Sequence, residues 1–302
     1  MTSRPHSMGP PAGTRITVVG IGAVGGTVAA ALGDAGQTPV LAARTPVGRI
    51  TRRLADEETT FDFPCVTEPK TSASTEWVLL CTKAYQVDGA SLWLEHLVNQ
   101  NTRVAVLQNG VDHVERLSHL VPATRILPVV VYMACERERP DYFSQVRAGR
   151  LHVPDSPDGR EFADLFAGSP AIEAIAEPDF PSLLWRKLTI NAATGGICAL
   201  SLNPNCILTD PAMSENARAL MREVMIVGQA EGATFPDRFV DDTLEMLAGP
   251  VGAHWTSMAQ DRKAGRRMEW EVRNAVVGKI ARRHRIPTPL NDMVAALLAV
   301  AT

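Results

Sequence analysis

A chain of 302 residues exceeds the roughly 250–300 at which one hydrophobic core stops growing, so two domains are the default. Hydrophobic residues make up 45% and charged residues 21%, and a net charge of −3 leaves no basic footprint for nucleic acid or for an acidic membrane surface. No run approaches about 18 uninterrupted apolar residues. That charge balance points to a small-molecule partner, and the five scattered cysteines, which form neither a C-x-x-C pair nor a disulfide framework, fit a reducing cytoplasm.

Residues 1–13, rich in Pro and Gly and lacking the apolar core of a signal peptide, read as a disordered tail. The segment Arg15 to Gly26 (RITVVGIGAVGG) follows, an apolar strand running straight into Gly20, Gly22 and Gly25 at G-x-G-x-x-G spacing. Glycine serves the tight turn, the approach of backbone to a pyrophosphate, and the packing of the helix that opens there. Gly20, Ile21, Gly22, Ala23, Val24 and Gly25 are therefore the expected dinucleotide cradle, with the helix Thr27 to Ala35 behind it and Gly36 as its stop. A second strand, Thr38 to Ala43, ends at Arg44, where an NAD enzyme places an acid for the ribose 2′-hydroxyl. Arginine there suits a 2′-phosphate, hence NADPH. Arg49, Arg52 and Arg53 add positive potential or form the solvated face of a following helix.

Strand-like runs at 76–82 and 103–108 alternate with helical stretches at 84–98 and 111–120, which predicts a doubly wound α/β sheet of Rossmann type. Runs 127–135, 142–148 and 151–153 are expected as antiparallel strands extending that sheet, with a short strand at 171–176 closing the domain. Beyond Pro181, runs at 182–200, 211–231, 236–248, 258–265, 268–284 and 290–301 read as helix. The expected organisation is a nucleotide-binding domain over 14–180 and an all-α substrate and catalytic domain over 181–302.

Polar residues that stand out are few. Lys83, Gln108 and Asn109 follow strand ends, where a crevice opens or an ordinary loop is solvated. Lys187 and Asn191 share one helix face in an apolar run; they mark a buried polar site, or the lysine snorkels to solvent. Ser257 begins S-M-A-Q, an apparent capping box closed by Gln260. Glu269 lies among Arg266, Arg267 and Arg273, the composition of a surface ion-pair network. The seven histidines show no metal-ligand spacing and no triad partners.

Taken in order, GIGAVGG, Arg44, TKAYQ at Lys83, QNGV at Asn109, LWRKLTIN at Lys187, Asn205 in NPN, SMAQD at Ser257 and Glu269 resemble the ketopantoate reductases over nearly the whole chain from Arg15. The resemblance implies a Rossmann domain followed by a helical domain, the use of NADPH, and reduction of the 2-keto group of ketopantoate on the route to pantothenate and coenzyme A. By position it makes Lys187 the proton donor, Asn191, Asn205 and Ser257 substrate contacts, and Asn109 a residue between substrate and nicotinamide. It gives Arg44 and Lys83 to the cofactor, puts Glu269 at the nicotinamide end as an organiser of the site, and has Cys135 touch the cofactor through its backbone. A homodimer is a further expectation.

The family's second substrate asparagine, four residues after the one matching Asn191, is Gly195 here. Either another side chain compensates, or the pocket is wider and takes a different 2-keto acid; in the second case Gly195→Asn improves ketopantoate use. A reductase of another branched or larger 2-keto acid and a non-catalytic NADPH-binding sensor are the alternatives. The co-occurrence of Lys187, Asn191, Ser257 and Glu269 speaks against the sensor.

Overall fold

The computed structural model describes residues 14–248 and 254–301; the expected tail over 1–13 lies outside them. Two compact units form, one from the residues up to Gln108 with His113–Phe180, the other from Asn109–Asp112 with Pro181–Thr302.

The first unit begins with β1 (Ile16–Val19), buried throughout, the glycine turn, and α1 (Ala23–Asp34). β2 (Val40–Ala42), β3 (Arg49–Leu54), β4 (Glu57–Asp62) and β5 (Cys65–Val66) follow, then β6 (Trp77–Leu80), α2 (Val87–Leu97), β7 (Arg103–Val106), α3 (His113–Leu117) and β8 (Ile126–Pro128). The six strands β5-β2-β1-β6-β7-β8 form one parallel sheet. Strand order reverses between β1 and β6, so the glycine turn at the C-terminal end of β1 stands at the switch point, where doubly wound sheets bind ligands.

The expectation that the later strands extend this sheet is overturned. The run 127–135 is divided: β8 pairs with β7, buried Val129 carries the chain across, and β9 (Val130–Tyr132) pairs elsewhere. β10 (Cys135–Arg139) and β11 (Tyr142–Gln145) join β3 and β4 in a four-stranded sheet ordered β10-β11-β3-β4. β12 (Gly149–Pro154), followed by α4 (Pro157–Asp164), and β13 (Ile172–Glu177) complete a third sheet with β9. β11 runs parallel to β3, and β12 parallel to β13, so these are not antiparallel ribbons throughout.

The four-stranded sheet lies against α1. A Cβ on Gly26 would stand 2.1 Å from the Phe143 ring and one on Gly33 2.5 Å from Phe61, so the bare backbone of α1 admits both rings. Arg52, expected on a solvated helix face, instead points inward from β3 with 2% exposure and pairs with Asp34 at the end of α1. The period-two pattern of Ile50, Arg52 and Leu54 puts one arginine on the covered face, and Asp34, also bonded by Ser169 Oγ at 3.2 Å, makes its burial tolerable.

The described part of the second unit contains helices and no strand: α5 (Phe180–Ser201), α6 (Pro211–Ala230), α7 (Phe239–Ala248), α8 (Ser257–Lys263), α9 (Val276–His284) and α10 (Pro289–Val300). Apolar residues on opposite sides of α5, Leu188 and Ala192 on one and Ala193, Ile197 and Cys198 on the other, enter two separate cores. The expected helix 268–284 starts late. Residues 266–270 are irregular, Glu271–Ala275 form a π turn, and α9 continues from it. No described helix is long and apolar enough to cross a membrane.

Candidate active site

In the first unit the glycine turn is built for close approach. Gly20 has φ +92°, a conformation L side chains avoid, and a Cβ there would meet Thr82 Cγ2 at 2.6 Å. A Cβ on Gly25 would fall 2.0 Å from the Gly20 carbonyl oxygen, so only glycine lets α1 pack this tightly on the turn. Gly22 differs: a Cβ there would meet nothing within 4 Å, so its bare backbone faces open space. It is also the N-cap of α1, with no side chain capping it and no acid in the first turn. The unpaired N–H groups and positive dipole end of α1 therefore suit a pyrophosphate without a competing anion.

Around this cradle, Arg44 is exposed just past β2, flanked by Ala43 and Thr45. Lys83 is half-buried, and its backbone N–H donates to Gln86 Oε1 at 3.1 Å. Gln108 Nε2 donates to Thr82 Oγ1 at 3.0 Å while its Oε1 accepts from Arg116 at 3.2 Å, tying the ends of β6 and β7 together. Cys135 opens β10 beside Thr27 of α1. Burial pushes its thiol up to about 11 against the opposing Thr27 hydrogen bond, so it stays protonated at neutral pH. The donor set fits a nicotinamide dinucleotide: a glycine cradle at a helix N-terminus, with cations and no acid at the end of β2.

The second unit assembles the acid–base candidates. Lys187, Asn191 and Gly195 lie at successive i, i+4 positions of α5 and share one stripe. Glu269, which the sequence left among surface ion pairs, is 3% exposed, whereas Arg266 and Arg267 reach out to Asp261 and Glu271. Asn109 Nδ2 donates to Glu269 Oε2 at 3.1 Å. The turn that aims Asn109 requires Gly110, at φ +105°, whose Cβ would approach Val272 Cβ to 3.1 Å. Lys187 lies in the field of both neighbours. Burial and the like charge of Arg273 pull its amine down to about 7, and Glu269 opposes them. An amine so poised can give up or take up a proton near neutral pH rather than remain a permanent cation.

Ser257 is not the expected cap. Thr256 is the N-cap of α8, its Oγ1 accepting from the Ala259 N–H at 3.3 Å, and Ser257 Oγ accepts instead from Arg273 Nη2 at 2.8 Å. The hydroxyl one residue upstream has the extended backbone that a cap needs, so the apparent capping box is out of register. Asn205 is engaged with the backbone: Oδ1 accepts from His254 N–H at 2.7 Å and Nδ2 reaches the Leu247 carbonyl at 3.4 Å. It steadies the approach to α8.

Sequence reasoning missed Arg273, treating it as a member of a surface cluster. Its position four residues after Glu269 was the available signal, but the π turn that buries it leaves no mark in the hydrophobic pattern.

The family described as ketopantoate reductase PanE/ApbA matches residues 16–158, and its C-terminal counterpart matches 179–301. The chain is 39% identical to the 2-dehydropantoate 2-reductase of Caulobacter vibrioides over 95% of this chain and 99% of that one. It is 35% identical to the protein of the same name from Mycobacterium tuberculosis, over 96% and 98%. Among solved structures, the Geobacter metallireducens 2-dehydropantoate 2-reductase superposes with a TM-score of 0.88 at 28% identity, covering 95% of this chain and all of that one. A dimeric ketopantoate reductase from Staphylococcus aureus gives 0.85 at 25%, covering 95% and 98%. Matches that take in both units nearly end to end, on a chain with this glycine turn and this half-buried lysine, make it a member of the ketopantoate reductase family, nicotinamide-dependent oxidoreductases.

Proposed function

We propose that the chain reduces ketopantoate to pantoate with NADPH, Lys187 donating the proton. The observation that carries this is Lys187 itself, half-buried on the stripe it shares with Asn191, its amine drawn down to about 7 by desolvation and the charge of Arg273. NADPH, when bound, supplies the hydride to the 2-keto carbon. As that carbon is attacked, negative charge builds on the carbonyl oxygen; the Lys187 ammonium stabilises it and passes its proton from Nζ to that oxygen. Glu269 holds Asn109 and offsets the like charge of Arg273, keeping enough protonated lysine at working pH. Asn191 and Ser257 offer uncharged hydrogen bonds to the substrate's polar ends. Asn205 serves by holding the segment that enters α8. The turn Gly20 to Gly25 takes the pyrophosphate, Arg44 the 2′-phosphate and Lys83 the neighbouring cofactor atoms, with Cys135 lending only backbone. A homodimer is the proposed assembly, following the dimeric Staphylococcus aureus relative.

Steady-state loss of NADPH absorbance with ketopantoate, run beside a panel of larger 2-keto acids and with NADH, tests the reading. Ketopantoate with NADPH is expected to give the highest kcat/KM. Arg44→Ala is expected to erase most of the preference for NADPH, about 10- to 150-fold for a charge-assisted phosphate contact of ~1.5–3 kcal/mol. Equal use of NADH and NADPH by the unaltered protein contradicts the role of Arg44, and a better substrate in the panel contradicts ketopantoate.

A further inference from the structure

One buried cation beside Lys187 has no part in that mechanism beyond its field. Arg273 sits in the middle of the π turn Glu271–Ala275, 4% exposed. Turns of this kind insert one residue into a helix, re-aim the side chains they carry, and recur at functional sites. Its Nη2 donates to Ser257 Oγ at 2.8 Å, and its Nη1 stands 3.2 Å from where a Cβ on Gly195 would be. Its Nε is buried with no hydrogen-bond partner among the described residues, so the guanidinium keeps donor capacity unspent. Glu269 and Asp261 supply opposing charge, which makes the burial of the cation tolerable.

The space at Gly195, where the resembling pattern has a substrate-binding amide, is thus not empty. A Cβ there would press on Arg273 Nη1 and lie in ordinary van der Waals contact with Met258 Cε, 3.5 Å from the same point. Glycine and arginine are matched, and the group that faces this point is a cationic donor. Because Arg273 donates to Ser257 Oγ, the serine's own proton is left to point away from the guanidinium. We infer that Arg273 determines specificity in this protein: it fills the space left by Gly195, turns the Ser257 hydroxyl into a donor toward the substrate, and selects for substrates bearing a carboxylate. Acting through Ser257 and through its charge, it is a positioning residue. This rests on the reading of Lys187 as donor to a 2-keto acid.

The test compares KM for ketopantoate with KM for the corresponding neutral 2-keto amide. Arg273→Met is expected to raise KM for the acid about tenfold or more while leaving that for the amide within about threefold, as charge complementarity requires. Its kcat is expected to persist to higher pH, because a like charge beside Lys187 is gone. Gly195→Asn alone is expected to impair turnover of the acid, and the double variant G195N/R273M to recover part of what R273M loses. Should R273M not fold, Arg273→Gln removes the charge while keeping a hydrogen-bond donor for Ser257 and is expected to show the same acid-selective rise. An equal loss for acid and amide means a structural arginine and overturns the inference, as does an unchanged KM for the acid in R273M, or in R273Q where only that variant folds. A wild-type protein that turns over no 2-keto acid overturns both this inference and the reading beneath it; intact wild-type turnover with a failed Arg273 test overturns this inference alone.

Discussion

On the proposed mechanism Lys187 is the residue on which the chemistry turns, and its setting makes a signed prediction. Reduction needs the protonated amine, so kcat for ketopantoate is expected to fall as pH rises through about 7. Lys187→Ala is expected to lower kcat by about 10²–10⁴-fold with NADPH affinity nearly intact; normal turnover in a folded K187A variant would reduce the lysine to a structural role. The same shift bears on stability. An unfolded lysine keeps its proton up to about 10.4, so the unfolded chain binds more protons between about 7 and that value. Through that window stability should rise with pH relative to Lys187→Met, as parallel thermal melts would register. The pairing of Lys187 with Asn191 was legible in the sequence from spacing alone. The burial of Glu269 was not, because its neighbours in sequence are exposed arginines paired elsewhere. Ser257 was placed one residue out, since Thr256 and Ser257 are equally plausible caps on paper.

The elements show where local pattern and tertiary context part. β1, β2, β6 and β7 could be read because each is a short apolar run bounded by turn residues. The β3–β4 hairpin could not: RITRRL carries three arginines and reads as a charged helix until Asp34 is brought to Arg52 by the packing of α1. That pair yields a prediction confined to this element. Arg52→Met strands a buried Asp34 carboxylate and is expected to destabilise the protein by about 3–5 kcal/mol. Arg49 also pairs with an acid, Asp62, at 2.9 Å, but both are exposed and screened by water, so Arg49→Met is expected to leave the denaturation midpoint nearly unchanged. Similar chemical denaturation midpoints for the two variants would contradict the account of how β3 is anchored. The later strands escaped assignment to the right sheet for a related reason: period-two alternation says that a strand forms, not which edge it joins.

At the scale of the whole molecule, the α/β class with a helical second half was legible because alternation of strands and helices gives way to uninterrupted helical periodicity beyond Pro181. The placement of Lys83, Gln108 and Asn109 just past strand ends and of Lys187 and Asn191 on one helix face was legible in the same way. What remained hidden was electrostatic: the burial of Arg273 against Gly195 depends on a π turn that no pattern announces. The central claim is that a hydride passes to the carbonyl carbon of a 2-keto acid while Lys187 protonates its oxygen. Its most direct test is single-turnover reduction of ketopantoate with NADPH deuterated at one or the other C4 position, with product mass read by spectrometry. Deuterium is expected at C2 of pantoate from one of the two labelled cofactors and not the other, with transfer markedly slowed in K187A. A failure of both cofactors to label the hydroxy acid, or unchanged transfer without the lysine, would contradict the account.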